Sequence, residues 1–192
     1  MKTIFITGGA RSGKSSFALH KAEQLHGKKV YIATAEPRDG EMKERIEYHK
    51  DERGREWDTV EEAFDLSGVL ERIKAQYGVI LIDCLTLWLS NLMMNNKLTS
   101  PDSPGKGDLR GDIVSAGIET EISRFVDRLK ELNSSADLHL FIVSNEVGMG
   151  IVPGNKIARR FRDLAGRMNQ KVAAVADEVY MVASGIPVKI KG

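Results

Sequence analysis

Short, almost continuous runs of apolar residues alternate along this chain with longer segments in which apolar residues recur every three to four positions. The runs are typical of β-strands buried on both faces, and the longer segments of helices with one packed face. We predict strands at Thr3–Thr7, Lys29–Thr34, Val79–Asp83, Leu138–Ser144 and Val179–Ala183, and a further one at Pro187–Ile190. We predict helices at Ser15–Leu25, Glu41–Asp51, Ala63–Gln76, Asp112–Leu132 and Asn155–Ala176. This alternation indicates an α/β fold with a mostly parallel sheet covered on both sides.

The composition is that of a globular single domain and argues against nucleic-acid binding and against a membrane span. The chain has 192 residues, of which 42% are hydrophobic and 29% charged, and we expect one domain over 1–192. A net charge of +1 and 6% aromatic residues supply no basic stacking surface for nucleic acid. No apolar stretch approaches the ~20 residues of a membrane span. The single cysteine, Cys84, fits a reducing compartment, and its apolar surroundings favour a buried thiol over a nucleophile. With no signal-peptide pattern before the first strand, we expect a cytoplasmic protein.

One segment lacks either pattern. Residues Asn95–Gly111 are rich in turn formers and include two prolines, Pro101 and Pro104. Such a composition predicts a flexible loop, which could be a lid over a substrate or a plain connector.

A phosphate-binding motif lies between the first strand and the first helix. Residues 8 to 15 match the pattern G-x-x-x-x-G-K-[ST], in which backbone N–H groups close around a phosphate. We expect Lys14 to contact the β- and γ-phosphates and the Ser15 hydroxyl to ligate Mg²⁺. A chance match in a glycine-rich turn is the alternative. The predicted nucleotide-binding residues here are Gly8, Gly9, Ala10, Arg11, Ser12, Gly13, Lys14 and Ser15.

Two further strand ends carry candidate groups. Asp83 ends an apolar strand, where a carboxylate can hold the Mg²⁺ shell opposite Ser15, or can cap the segment that follows. The small residues Ala33–Ala35 end the second strand, where a base or phosphate could approach the backbone. They could equally be small residues in a tight strand end.

The predicted helix after the second strand places Glu41, Arg45 and His49 on one stripe, since each is four residues from the next. By residue pattern alone, the favoured interpretation is an exposed helix with ion pairs, in which His49 is an ordinary surface histidine, and a catalytic site is the alternative. Trp57 and Glu61 follow shortly after this helix.

Polar groups also follow the fourth strand. Asn145 and Glu146 stand where catalytic or substrate-positioning groups lie in such sheets, and the alternative is a structured loop whose polar groups satisfy the backbone. Four arginines then fall on one predicted helix. They could contact a triphosphate or a neighbouring subunit's site, or form a solvated face: Arg159, Arg160, Arg162 and Arg167.

Taken together, these segments resemble the bifunctional adenosylcobinamide kinase/adenosylcobinamide-phosphate guanylyltransferase family of cobalamin assembly. The resemblance covers essentially the whole chain. The P-loop alone is generic, but the string Asn-Glu-Val-Gly-Met-Gly-Ile-Val-Pro ending at Pro153 is specific. The matching segments are Thr7–Ser15, Tyr31–Thr34, Glu41–His49, Trp57–Glu61, Asp83–Leu92, Ser144–Pro153, Phe161–Gln170 and the stretch ending at Val188.

The resemblance implies a RecA-like P-loop fold, a homotrimer and two reactions. ATP or GTP phosphorylates a hydroxyl on the aminopropanol arm of adenosylcobinamide. The enzyme then takes GMP from GTP onto a histidine, releases pyrophosphate and passes GMP to the new phosphate, giving adenosyl-GDP-cobinamide. A relative with only one of the two activities is the alternative, and a nucleotide-driven binding switch is a further one.

The resemblance also assigns roles. It makes His49 the guanylylated residue, although some members have two adjacent histidines where this chain has Tyr48 and His49. In that transfer, Lys14 and the Mg²⁺ expected at Ser15 and Asp83 would offset the charge that develops on pyrophosphate, so we take Lys14 as the second catalytic residue. It adds nucleotide contacts from Ala33, Thr34, Ala35, Lys50, Asp51, Glu52, Arg53, Glu61 and Asp83.

Overall fold

The computed structural model describes residues 2–36, 56–94, 108–132 and 137–192, without the side chains of 108–114. Within these residues, seven strands form one sheet. They are β1 (Lys2–Gly8), β2 (Lys29–Ala33), β3 (Trp57–Glu61), β4 (Val79–Asp83), β5 (His139–Asn145), β6 (Glu178–Ala183) and β7 (Ile186–Lys191). The helices of the described part are α1 (Lys14–Glu23), α2 (Leu66–Ile73), α3 (Leu85–Met94), α4 (Asp108–Leu132) and α5 (Lys156–Val175).

The strands follow the order β3-β2-β4-β5-β1-β6-β7. All neighbouring pairs are parallel except β6 and β7, which form an antiparallel pair at one edge. The carboxyl ends of six strands therefore meet at one edge of the sheet. The strand β1 lies between β5 and β6, so the loop that follows it emerges inside this edge and not at its margin.

Alternate residues of each central strand pack on opposite faces of the sheet. Phe5 and Ile32 belong to a buried cluster that includes Trp88 of α3 and Phe125 of α4. Ile4, Ile6 and Tyr31 belong to a second cluster that includes Ala18 of α1. Because helices cover both faces of the sheet, the central strands are continuous apolar runs in the sequence. The predicted three-layer arrangement is confirmed.

Most predicted elements are confirmed within a few residues. The six predicted strands are present as β1, β2, β4, β5, β6 and β7. The helix predicted over Ala63–Gln76 is shorter, because Asp65 caps it by accepting a hydrogen bond from the Gly68 N–H (2.9 Å). The predicted helix at Glu41–Asp51 lies outside the described residues.

Two elements were missing from the prediction. In β3 only Trp57 is buried, as expected of a strand at the sheet margin, so its sequence carries neither an apolar run nor a regular alternation. In α3 the polar residues Thr86 and Asn91 are buried along with the leucines, so no polar face marks it as a helix.

One boundary was wrong. The loop predicted over Asn95–Gly111 ends earlier than expected, because α4 already begins at Asp108. Glycines at 107 and 111 suggested turn structure, but the long helix extends across Gly111. Residues 95–107 lie outside the described part of the chain. None of the described helices is both long and apolar enough to cross a membrane.

Candidate active site at the carboxyl edge of the sheet

The P-loop, residues Gly8–Ser15, connects β1 to α1. Gly13 immediately precedes the helix with a φ of +90°, and Arg11 also has a positive φ, of +55°. The Gly185 N–H donates to the Ser12 carbonyl oxygen (2.9 Å), which ties the loop to the turn between β6 and β7. Because α1 begins at Lys14, inside the loop, the N–H groups of its first turn and the positive end of its dipole would face an anion bound there.

Lys14 is the first residue of α1, and its side chain is buried against the loop. Only 7% of the residue is exposed. Its Nζ donates to the Gly9 carbonyl oxygen (2.9 Å), so the ammonium group lies across the loop that it belongs to. Phosphate oxygens bound in the loop would therefore lie within reach of this charge.

Sheet register brings several predicted site residues to the same edge. Ala33 of β2 pairs with Glu61 of β3 on one side and with Asp83 of β4 on the other. Gly8 of the P-loop pairs with Asn145, the last residue of β5. Ala33, Glu61 and Asp83 share one level of the sheet. Asp83 pairs with Val143, so Gly8 and Asn145 lie two residues farther along their strands. Glu61 lies on β3, four strands from β1 in the sheet order.

The residues present fit a magnesium ion. Ser15 lies in the first turn of α1, Asp83 ends β4, and both are half-buried. Hydroxyl and carboxylate oxygens are the donors that Mg²⁺ takes, commonly together with phosphate oxygens of the substrate. Since α3 begins at Leu85, Cys84 and not Asp83 directly precedes the helix, which disfavours the capping interpretation of Asp83.

The end of β2 is joined to the end of β4 through Thr34, which is fully buried. Its Oγ1 donates to the Cys84 carbonyl oxygen and accepts from the Cys84 N–H, both at 2.8 Å. Its own carbonyl accepts from Asn91 Nδ2 (2.8 Å). Both hydrogen bonds of the Thr34 hydroxyl are therefore made to the Cys84 backbone. Ala35, the next residue, is half-exposed.

Cys84 is a buried thiol, as expected. It is 5% exposed and forms no disulfide. Burial, with the neighbouring Asp83 carboxylate, raises the pKa of the thiol to about 12. It therefore stays protonated near neutral pH and has no nucleophilic character.

A buried polar network holds the end of β5, and sequence reasoning missed it. Ser144 Oγ donates to Asn169 Oδ1 (2.7 Å) and lies 3.2 Å from Thr86 Oγ1. The Asn145 N–H donates to Thr86 Oγ1 (2.6 Å), and Asn169 Nδ2 donates to the Asn145 carbonyl (3.1 Å). The available signal was the presence of polar residues within otherwise apolar faces of α3 and α5.

Arginines on α5 contact other groups of the same chain. Arg159 Nη1 donates to the carbonyls of Pro153 (2.9 Å) and Gly154 (2.6 Å). Arg162 pairs with Asp163 (3.0 Å), and Arg167 pairs with Glu119 (2.9 Å). Arg159 therefore holds the loop before α5 in place.

The remaining predicted site residues lie outside the described part of the chain. They include the stripe of Glu41, Arg45 and His49. They also include the proposed nucleotide contacts Lys50, Asp51, Glu52 and Arg53.

Comparison with solved structures agrees with this architecture. An ATPase from the type III secretion system of pathogenic bacteria matches with a TM-score of 0.53 and 14% identity, over 94% of this chain and 50% of that one. The RadB recombinase matches with a TM-score of 0.51 and 11% identity, over 94% of this chain and 73% of that one. The predicted RecA-like P-loop NTPase fold is confirmed.

Comparison of sequences gives the family. The chain is 42% identical to the bifunctional adenosylcobalamin biosynthesis protein CobU of Salmonella typhimurium, over 98% of this chain and 99% of that protein. It is 39% identical to CobU of Escherichia coli, over 98% and 99%. It is 37% identical to the bifunctional adenosylcobalamin biosynthesis protein CobP of Pseudomonas aeruginosa, over 97% and 96%. The model of the cobinamide kinase / cobinamide phosphate guanyltransferase family matches residues 4–190, and the chain therefore belongs to this family.

Proposed function

We propose that this chain phosphorylates adenosylcobinamide with ATP or GTP and then transfers GMP from GTP to the new phosphate. The observation that supports the proposal is a P-loop at the carboxyl edge of the sheet, where the neighbouring strands β4 and β5 end in Asp83 and Asn145, in a chain of this family. Membership supports both reactions, because the bifunctional relatives align over almost their whole length. The product would be adenosyl-GDP-cobinamide, an intermediate of cobalamin biosynthesis.

In the kinase step the P-loop binds the triphosphate. Backbone N–H groups of the loop and of the first turn of α1 face the phosphates, and Lys14 leaves the Gly9 carbonyl to contact them. Ser15 and Asp83 would hold Mg²⁺, which when bound offsets negative charge on the phosphates. Ala35, which is half-exposed just after β2, has a small side chain that a nucleotide could approach, whereas Ala33 is buried.

In the transferase step a histidine acts as nucleophile, and we assign it to His49. Neutral imidazole nitrogen attacks the α-phosphorus of GTP, the N–P bond forms, and the bond to the β-phosphate oxygen breaks to release pyrophosphate. Lys14 stabilises the charge that develops on the leaving group. An oxygen of adenosylcobinamide phosphate then attacks the same phosphorus and releases the histidine.

We further propose a cytoplasmic homotrimer. The free, buried Cys84 supports a reducing compartment. Strand β7, at the sheet margin, exposes Ile186 and Val188, which lie two residues apart and therefore on one side of the strand. It also exposes Ile190, where the pairing with β6 is irregular. An exposed apolar row of this kind supports contact with a second copy of the chain.

The transferase assignment is tested with GTP labelled at the α-phosphorus. Wild-type protein should gain one GMP unit in intact mass, and the label should be acid-labile and stable to alkali. The His49→Ala variant should form no adduct but should still phosphorylate adenosylcobinamide. The matched control is His26→Ala at an exposed histidine, which should behave as wild type.

The outcomes separate the alternatives. An adduct that persists in His49→Ala contradicts the assignment of the nucleophile. A wild-type protein that phosphorylates adenosylcobinamide but forms no adduct has the kinase step alone. A protein that turns over neither substrate contradicts the proposed function.

A further inference from the structure

The kinase step needs a group that accepts the proton of the acceptor hydroxyl, and the strand next to β1 presents a carboxylate. Glu146 directly follows β5. Its N–H donates to the carbonyl oxygen of Gly8, the first residue of the P-loop (2.9 Å). The backbone of Glu146 is therefore hydrogen-bonded to the loop that binds the transferred phosphate.

The backbone before Glu146 is held from two other elements. Thr86 of α3 accepts from the Asn145 N–H, and Asn169 of α5 donates to the Asn145 carbonyl. Ser144, which is fully buried, joins these two side chains. A group carried on a backbone with this many fixed contacts keeps a constant position relative to the P-loop.

The carboxylate itself is oriented but not neutralised. Glu146 is half-buried, and its Oε1 accepts from the Gly148 N–H (2.7 Å). A Cβ at position 148 would lie 2.9 Å from this oxygen, so glycine permits the close contact. Among the residues that the structure describes, no cation forms an ion pair with Glu146. The second oxygen can therefore accept a proton from a substrate.

Three other described carboxylates at this edge have another role or lie farther from the P-loop. Glu62 accepts from the Phe64 and Asp65 N–H groups, both at 2.9 Å, and shapes the turn before α2. Glu61 lies on β3, at the margin of the sheet, whereas Glu146 follows the strand that neighbours β1. Asp83 is proposed above as a ligand of Mg²⁺.

The segment after Glu146 suits a large acceptor. It exposes Met149 (76%), Ile151 (97%) and Val152 (61%). An acceptor with an extended ring system can cover such apolar surface, and its hydroxyl arm would then lie near Glu146 and the P-loop.

We propose that Glu146 is the general base of the kinase step, an inference that rests on the proposed function. The acceptor oxygen forms a bond to the γ-phosphorus as the bond from that phosphorus to the β,γ-bridging oxygen breaks. The electron pair leaves on the nucleoside diphosphate. The hydroxyl proton passes to Glu146, which returns it to water after the product leaves.

The test compares Glu146→Gln with wild type in three separate assays. Glutamine keeps an oxygen for the Gly148 N–H but cannot accept the proton. We expect kcat for adenosylcobinamide phosphorylation to fall by about 10²- to 10⁴-fold, with the acid limb of its pH profile abolished. Formation of the GMP adduct, and GMP transfer to adenosylcobinamide phosphate supplied ready-made, should stay within about threefold of wild type, since neither step deprotonates a hydroxyl.

The control is Glu71→Gln, an exposed carboxylate paired with Lys74 and Arg128, which should leave all three rates unchanged. Phosphorylation by Glu146→Gln at the wild-type rate overturns the inference. Equal loss in all three assays also overturns it, because that pattern indicates a structural role. If the wild-type protein does not phosphorylate adenosylcobinamide, that result contradicts the proposed function itself and is distinct from a failure of the Glu146 assignment.

Discussion

The buried network at the end of β5 predicts a measurable coupling between Ser144 and Asn169. Ser144 is fully buried and Asn169 is 8% exposed, and a 2.7 Å hydrogen bond joins them. Replacing Asn169 by alanine removes this bond and the 3.1 Å bond to the Asn145 carbonyl. Each bond contributes about 1 kcal/mol, and the buried groups left without partners add a further cost of about 1 kcal/mol or more.

We therefore expect Asn169→Ala and Ser144→Ala each to lower the free energy of unfolding by about 3 kcal/mol, since Ser144 also makes two bonds, to Asn169 and to Thr86. The double variant should lose less than the sum, by about 1 kcal/mol, since the shared bond is counted in both single variants. The measurement is denaturation in urea, with midpoint and slope determined for all four proteins.

A control cycle uses Asp127 and Lys130, an exposed pair one helical turn apart on α4 at 2.7 Å. Its coupling should stay below about 0.5 kcal/mol, because exposed ion pairs are weak. If the Ser144 and Asn169 losses add to within about 0.3 kcal/mol, the two side chains are not energetically coupled and the reasoning is refuted.

Two further predictions concern the P-loop junction and the amino end of β6. Gly8→Ala would place a Cβ against the Val182 carbonyl oxygen. We therefore expect the free energy of unfolding, measured in urea, to fall by at least about 2 kcal/mol, and nucleotide binding to weaken. In the control Gly9→Ala no atom lies within 4 Å of the new Cβ, so this variant should unfold as wild type does. Burial would raise the pKa of Glu178, but hydrogen bonds from Lys2, Lys189 and Tyr180 outweigh it and lower the pKa to about 2. The charged form of Glu178 is thus the stabilising one. Its contribution is complete above the ordinary glutamate pKa of 4.5 and is lost as pH falls towards 2. Glu178→Gln should cost about 1–2 kcal/mol at pH 7, after allowance for its half-exposed partners, and the difference from wild type should vanish near pH 2; a constant difference over this range would contradict the assignment.

Much of the fold follows from local pattern. The apolar runs that became β1, β2, β4 and β5 could be recognised because a strand covered on both faces needs no polar side. The P-loop could be recognised because local backbone geometry requires its glycines and phosphate binding requires Lys14, all within eight residues. By contrast, the burial of residues in β3 and α3 depends on the elements packed around them. Their sequences therefore show no regular pattern of apolar and polar positions.

In the candidate site, too, some features follow from local sequence and others depend on tertiary contacts. The sequence by itself determined the family resemblance, the phosphate-binding loop and the strand that ends in Asp83, since each rests on residues close together in the chain. The assignments of His49, of the Mg²⁺ ligands and of one domain over 1–192 stay predictions. Only the tertiary structure decided that Asn169 and Thr86 hold the end of β5, and that Glu146 is hydrogen-bonded to Gly8. These contacts join residues far apart in sequence, and they depend on the strand order and register that packing of the whole sheet imposes.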